Sequence, residues 1–246
     1  MSLANTAAGD ASRTPAGTST SASSTLPPSE ATQRLVRQAA RAIGRHGLAH
    51  AYGHCSQRLD EHHFLVCAPQ PMGLVTDAPG TVVRIDADLP AGVLGEVRIH
   101  REIYKRRPDV GGIVRSMPPR VMALSTLRRV PRMVHGMSAY FWPGITLWDD
   151  PQLLRSDAQA VALAEQMGGA QAVVMRGNGA VVAGSSLLEA VVWTWYLEDA
   201  ARIELDCAAL RDEVVPLTIE EARLRATKEG RIFERMWDYL TAGDME

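Results

Sequence analysis

The chain is expected to fold as an α/β protein in which helices cover a central sheet. Two observations carry this reading. Segments with apolar residues at helical spacing alternate along the chain with short, β-branched runs. The length of 246 residues, 46% hydrophobic and 22% charged, suits one large domain or two small ones, and no internal repeat or second linker divides it.

From the N-terminus, residues 1–28 are built mostly from Ala, Ser, Thr, Gly and Pro and carry only Asp10 and Arg13 as charges. Such a segment buries too little apolar surface to offset its ordering entropy, and it lacks the continuous apolar core of a secretory signal. It reads as a disordered extension, leaving 29–246 as the folded unit. Pro27 and Pro28 end the tail, and Ser29 caps a helix over 30–47, where Leu35, Val36, Ala39, Ala40, Ile43 and Leu48 recur at helical spacing. Strands are predicted at His63–Ala68, stopped by Pro69 and Pro71, and at the β-branched Thr81–Ile85. Glu96–Arg107 reads as a helix closed by Pro108, Gly111–Val114 as a short buried strand, and Pro118–Leu127 as a helix opened by a proline pair. A helix over Arg155–Met167 follows. Strands Ala172–Met175 and Ala180–Ala183 flank the turn Arg176-Gly177-Asn178-Gly179. Ser186 and Glu189 form a capping box for a long helix to about Leu210, and a last amphipathic helix covers about 218–240. Trp193, Trp195 and Tyr196 on the long helix suit core or subunit packing.

Composition excludes several classes of function. Lys plus Arg number 26 against 28 Asp plus Glu, a net charge of −2 without the basic footprint of a nucleic-acid binder. No run approaches the roughly 18 apolar residues of a membrane span. The three cysteines, Cys55, Cys67 and Cys207, form neither a C-x-x-C metal site nor a disulfide framework, so a cytoplasmic setting is expected.

Seven segments fall in one order: G-H-C-S-Q-R at 53–58, G-E-V-R-I-H-R-E-I-Y-K-R-R-P-D-V at 95–110, G-G-I-V-R-S-M-P-P-R-V-M-A-L-S at 111–125, H-G-M-S-A-Y-F at 135–141, D-D-P-Q-L-L at 149–154, V-M-R-G-N-G-A-V-V-A-G at 174–184, and S-L-L-E-A-V-V-W-T-W-Y-L-E-D-A-A-R at 186–202. Together they resemble the class II aldolase/adducin family over about residues 32–210. The resemblance implies a single three-layer α/β/α domain around a mostly antiparallel sheet. It also implies a homotetramer with active sites between subunits, a C-terminal residue such as Tyr239 reaching a neighbour's site.

The same resemblance implies a metal site that this chain does not keep. Family members carry an H-x-H pair after the R-P-D-V strand and a third histidine in the R-N-H-G turn, and the three imidazoles hold a zinc-type ion. Here those positions are Arg115, Met117 and Asn178, and a permanently charged guanidinium repels a cation rather than ligating it. No metal and no other cofactor is therefore expected.

Other polar positions of the family pattern survive. Glu96 stands where the family has its acid/base carboxylate; without that register it would be a first-turn residue favoured by the helix dipole. Gly53, His54 and Ser56 fall in the substrate-binding turn, where glycine lets backbone approach an anion. Arg58 suits pairing with a carboxylate or a solvated strand position, and His135 suits a substrate loop or a structural one. His100, one turn after Glu96, is expected to pack and hydrogen-bond behind the site, while His62 and His63 read as an inert hairpin.

The first turn, the V-M-R-G-N-G-A-V segment and W-Y-L-E-D-A-A-R look most like the branch of decarboxylases for ring-cleavage products such as 2-hydroxy-3-carboxymuconic semialdehyde. That resemblance implies a lyase acting on a small unsaturated 2-hydroxy/2-oxo-3-carboxy acid in aromatic compound catabolism. Glu96, Arg115 and Asn178 would be catalytic; Gly53, His54, Ser56, Arg58 and His135 would bind substrate. Two alternatives stay open: an aldolase or dehydratase with a metal held by residues such as His54, Glu96, His100 and His135, and a non-catalytic scaffold.

Overall fold

The computed structural model describes residues 27–209 and 214–246. The expected tail over 1–28 lies outside the described residues, apart from Pro27 and Pro28.

Helix α1 spans Glu30–Arg45, its first turn capped by the Ser29 hydroxyl, which accepts from the Thr32 amide at 3.2 Å. Strands β1 (His54–Arg58), β2 (His63–Val66) and β3 (Thr81–Arg84) follow as a meander. A single 3₁₀ turn at Gly95–Val97 leads into α2 (Arg98–Arg106), then β4 (Gly112–Ser116) and α3 (Pro119–Thr126). The second half holds β5 (Ile145–Trp148), α4 (Asp157–Met167), β6 (Ala172–Met175), β7 (Ala180–Gly184), α5 (Leu187–Ala209), α6 (Ile219–Arg225) and α7 (Ile232–Thr241). The seven strands form one sheet in the order β3-β2-β1-β4-β7-β6-β5. Every pairing is antiparallel except β5 with β6, so the mostly antiparallel α/β/α expectation holds.

Strand alternation divides the core. Cys55, Leu65, Val114, Val174, Ala180 and Val182 pack with α1, α3, α5 and α7. Their neighbours Phe64, Ile113, Val173, Val181 and Ala183 face the other way, onto Ile99, Ile103 and Tyr104 of α2 and Leu163 of α4. The α5 aromatics take the packing role expected of them: Trp193 and Tyr196 are buried, and Tyr196 stacks on Tyr140 at 5.6 Å.

The structure departs from the sequence reading in three places. β1 is a fully hydrogen-bonded inner strand, although its polar H-C-S-Q-R sequence has no strand pattern. β5 is a short edge strand that was not anticipated. The last helix is broken in two: α6 ends where Ala226 (φ −76°, ψ 67°) leaves the helical region, and α7 starts only after Gly230 (φ 69°) and Arg231 (φ 55°), both left-handed.

One polar contact ties the C-terminus to this framework. Arg37, Arg41 and Arg45 form a stripe along one face of α1. Arg41, only 2% exposed, donates from Nε to Asp244 Oδ2 at 2.8 Å and from Nη2 to Asp244 Oδ1 at 2.5 Å. Its Nη1 donates to the carbonyls of Val75 and Thr76 at 3.1 and 3.0 Å, bracing the loop after β2. Breaking a buried ion pair leaves the other charge uncompensated, at a cost of about 3–5 kcal/mol. Arg41→Ala should therefore lose about that much in urea unfolding. Arg45→Ala, whose side chain is 34% exposed, should lose less than 1 kcal/mol or so. Equal small losses from both would show that the C-terminal tie is not a buried pair.

Candidate active site

The same two-residue period that builds the core aims the polar residues of β1 and β4. Cys55 and Val114 face α1 and α5, so His54, Ser56 and Arg58 on β1 and Arg115 on β4 face the α2 side. His54 pairs directly across the sheet with Arg115. The turn before α2 brings in Glu96, and the β6–β7 turn brings in Asn178. His54, Glu96, Arg115 and Asn178, with Gly53 and Met117, line one cavity of about 850 Å³, within the range of small-molecule sites.

Two glycines make the closure possible. Gly53 has φ 148°, and a Cβ there would lie 2.8 Å from Met72 Sδ and 3.0 Å from the Arg115 carbonyl. Gly179, at φ 80°, brings the Asn178 turn against β4, where a Cβ would lie 2.0 Å from the Ser116 carbonyl oxygen.

At the centre is the Arg115 guanidinium, 2% exposed. Nη2 donates to Asn178 Oδ1 at 3.1 Å, while Nη1 donates to Met117 Sδ at 2.8 Å and to the Ser116 carbonyl at 3.2 Å. Nε lies 3.0 Å from Glu96 Oε2, an ion pair without good hydrogen-bond alignment. Burial pushes the guanidinium below its ordinary value and the Glu96 carboxylate opposes that shift; an arginine stays charged throughout. Asn178 Nδ2 and His54 Nε2 are buried with no protein partner. The cavity wall thus combines a fixed cation, two unsatisfied side-chain nitrogens and one carboxylate.

A donor set of guanidinium, thioether and carboxamide does not fit the three-imidazole ion site of the family pattern. The Arg115 headgroup itself contacts Met117, Asn178 and Glu96, placing an internal cation among these positions. The alternative ligand set is not assembled either: among the described residues, no group of three or more His, Cys, Asp or Glu side chains is arranged to hold a metal ion.

Behind the cavity, His54 Nδ1 lies 2.9 Å from His100 Nε2, and His100 Nδ1 lies 2.7 Å from Ser56 Oγ. Ser56 Oγ lies 3.0 Å from the Tyr104 hydroxyl, which donates to the Ser56 carbonyl at 3.1 Å. The chain fixes both imidazole planes and ends at the one open position, His54 Nε2. Burial, then the His100 and Arg115 charges, hold His54 well below the usual histidine range. Burial and Arg115 push His100 down to about 3.

Both rings are therefore neutral in the fold at pH 7 and remain so in mild acid. The unfolded chain takes up protons near pH 6.5 and the native one does not, so the stability present above that pH is lost as pH falls toward 3. The slope is about 1.4 kcal/mol per pH unit for each such histidine. Urea midpoints between pH 6.5 and 5.5 should show this loss, and His100→Gln should flatten it. An unchanged slope in that variant would place His100 outside the acid response.

Not every candidate reaches the cavity. Gly53, His54, Glu96, Arg115 and Asn178 do. Ser56 lies fully buried behind it, holding His100. Arg58 is a correction: its Nε donates to the Val110 carbonyl at 2.7 Å and its Nη2 to the Tyr104 and Arg107 carbonyls at 2.8 and 3.0 Å. It closes the C-terminal end of α2 and stacks 4.6 Å from the Tyr104 ring. β1 runs alongside α2, so four residues at about 3.3 Å each carry Arg58 to the far end of the helix. His135 is a second correction. Its Nε2 lies 2.9 Å from Asp199 Oδ2 on α5, away from the cavity. His63, read as part of an inert hairpin, is buried against Asp60 at 2.9 Å. Arg155, Tyr52 and Leu94 line the cavity but carry no signal in the sequence, and Leu153 lines it from within the D-D-P-Q-L-L segment, which assigned it no role.

Known proteins share both sequence and fold with this chain. Residues 34–205 match the model of the class II aldolase and adducin N-terminal domain. A 3,4-dihydroxyphthalate decarboxylase of Terrabacter sp. (strain DBF63) is 28% identical over 210 residues, covering 78% of this chain and 87% of the relative. The enzyme of the same name from Arthrobacter keyseri is 28% identical over 193 residues, covering 70% and 77%. Among solved structures, an aldolase II superfamily protein from Pseudomonas syringae superimposes with a TM-score of 0.74 at 20% identity, covering 87% of this chain and 92% of that one. With the family match spanning residues 34–205, most of the chain, the protein belongs to the class II aldolase and adducin N-terminal domain family.

Proposed function

We propose that the protein is a lyase that decarboxylates a small acid whose leaving carboxylate is one carbon removed from a carbon bearing a hydroxyl or oxo group. Unsaturated 2-hydroxy/2-oxo-3-carboxy acids from aromatic ring cleavage and ortho-hydroxylated aromatic acids both meet this description. The named activity of the Terrabacter and Arthrobacter relatives is a decarboxylation of the second kind.

The observation that carries the reading is the Arg115 guanidinium held between Glu96 and Asn178 in the cavity wall. Loss of CO₂ needs a place for the electron pair of the breaking carbon–carbon bond. In a substrate of this kind the pair moves onto the oxo oxygen as an enolate or phenolate. In this reading Arg115 and the unpartnered Asn178 Nδ2 receive that oxygen; preorganised donors of this type are usually a large term in catalysis.

Glu96 manages the proton. Its carboxylate takes the hydroxyl proton of the enol or phenol and delivers it to the carboxyl-bearing carbon, which forms the keto tautomer. The carbon–carbon bond to the carboxylate then breaks, CO₂ leaves, and the enolate oxygen takes up one proton from solvent. Atoms and charge balance: a carboxylate and a proton become a C–H bond and CO₂. The electrophile is a side chain, so we assign no metal to this step.

The test is to mix the purified protein with 3,4-dihydroxyphthalate, and separately with 2-hydroxy-3-carboxymuconic semialdehyde, and to measure CO₂ release with and without EDTA. Release from either substrate that persists in chelator supports the reading. No release from both would turn attention to the scaffold alternative, and activity lost to chelator and restored by a divalent ion would overturn the metal-free part.

A further inference from the structure

A second arginine, Arg155, borders the cavity and is not used by the proposed chemistry. Arg155 lines the same wall space as Arg115, Glu96 and Asn178. Arg115 is engaged by Glu96, Asn178 and Met117. The Arg155 side chain, in contrast, is exposed and makes no ion pair or hydrogen bond among the described residues, its one polar contact to a side chain being made through the backbone amide. Its backbone is fixed. The Arg155 amide donates to Gln159 Oε1 at 3.0 Å, the same oxygen that closes the Ser156 capping box of α4. The preceding Leu154 is 1% exposed and packs with the α4 side of the core. An exposed cationic side chain on a fixed backbone therefore borders the cavity, whose lining also includes Leu153 and Leu94.

The charge of the site makes this position informative. Glu96 and Arg115 offset one another, and His54 is neutral, so Arg155 leaves the cavity with one net positive charge. A substrate that presents only its leaving carboxylate and oxo group to Arg115 and Asn178 gives Arg155 nothing to bind. A substrate with a further carboxylate, retained through the reaction, matches it.

We infer that Arg155 is the specificity residue that binds a second, non-reacting carboxylate, so that the substrate is a dicarboxylate. This rests on the decarboxylase reading and narrows it to one substrate class. A planar guanidinium engages a carboxylate through two parallel N–H donors, and a charged hydrogen-bonded contact of that kind is usually worth about 10–10²-fold in affinity. The contact forms equally in ground and transition states, so it lowers KM and leaves kcat nearly unchanged.

The experiment compares wild type with Arg155→Gln and Arg155→Lys. Arg155 is exposed, and none of its side-chain contacts supports the fold, so the variants should melt with wild type. Binding is measured by calorimetry with the unreactive pair phthalate and benzoate. Turnover is measured with 3,4-dihydroxyphthalate and with 2,3-dihydroxybenzoate, which lacks the retained carboxylate. Wild type should prefer phthalate over benzoate by about 10–10²-fold. Arg155→Gln should remove that preference and raise KM for the dicarboxylate alone, and Arg155→Lys should recover part of it. Discrimination in binding that is lost in Arg155→Gln, with no CO₂ release from 3,4-dihydroxyphthalate or from 2-hydroxy-3-carboxymuconic semialdehyde, would keep the anchor and reject the decarboxylase reading. An unchanged phthalate preference in Arg155→Gln, or no phthalate binding by wild type at millimolar concentration, would overturn the inference.

Discussion

Arg115→Ala should lower turnover by about 10²–10³-fold, the usual cost of removing one preorganised donor to a developing oxyanion. The effect falls on kcat, because the interaction is strongest with the charge that appears as CO₂ leaves. Arg115→Lys keeps the charge and loses the planar fork that spans Asn178, Met117 and Glu96, so it should retain only part of the activity. Stability provides the control. Removing the guanidinium unpairs Glu96, whose side chain is 22% exposed and open to hydration in the cavity, so the fold should survive. If Arg115 were only one half of a structural pair, the Ala variant would melt early and turnover per folded molecule would be unchanged. A stable, fully active Arg115→Ala protein would leave the mechanism without an electrophile.

Glu96→Gln should cost about 10²–10⁴-fold in kcat, the range typical of a general acid–base group. The amide keeps the size of the side chain and its contact with Arg115 but cannot carry the proton from oxygen to carbon. KM should move little, since no binding contact is deleted, and the melting temperature should stay close to wild type. The missing step also has an isotopic signature. Reaction in D₂O should place one deuterium on the carbon that lost CO₂, formed at wild-type rates only when Glu96 is present. A Gln variant with wild-type turnover would reassign Glu96 to the turn before α2.

Much of the site was legible from residue order. Glu96, Arg115 and Asn178 lie far apart in the chain, and their meeting was expected from the motif register; the sheet then supplies the contact, because β4 and the β6–β7 turn end at the same edge as the turn before α2. His100 was expected to pack behind the site, and it does so with both ring nitrogens engaged. Arg58 shows the limit of motif reasoning. It shares a face with His54, but a strand advances about 3.3 Å per residue, and that displacement sends Arg58 to the opposite end of α2. His135 shows another limit, since its partner Asp199 lies 64 residues away and no local pattern announces the pair.

The sequence by itself determined the elements whose signal is local. The periodicity of α1, the capping residues Ser29 and Ser186, the apolar run of β2, the β-branched residues of β3, β6 and β7, and the glycine turn around Asn178 all act within a few residues of one another. Tertiary structure alone decided what depends on distant partners. β1 is a strand because β2 and β4 satisfy its backbone on both sides, and its buried His54 and Ser56 are tolerated because His100 and Tyr104 hydrogen-bond them. The final helix stops at Arg225 and resumes at Ile232, after two left-handed residues. Arg155 looks like any surface arginine before a capping box. It borders the cavity only because the neighbouring Leu154 is buried in the core against α4, a packing contact that local sequence does not announce.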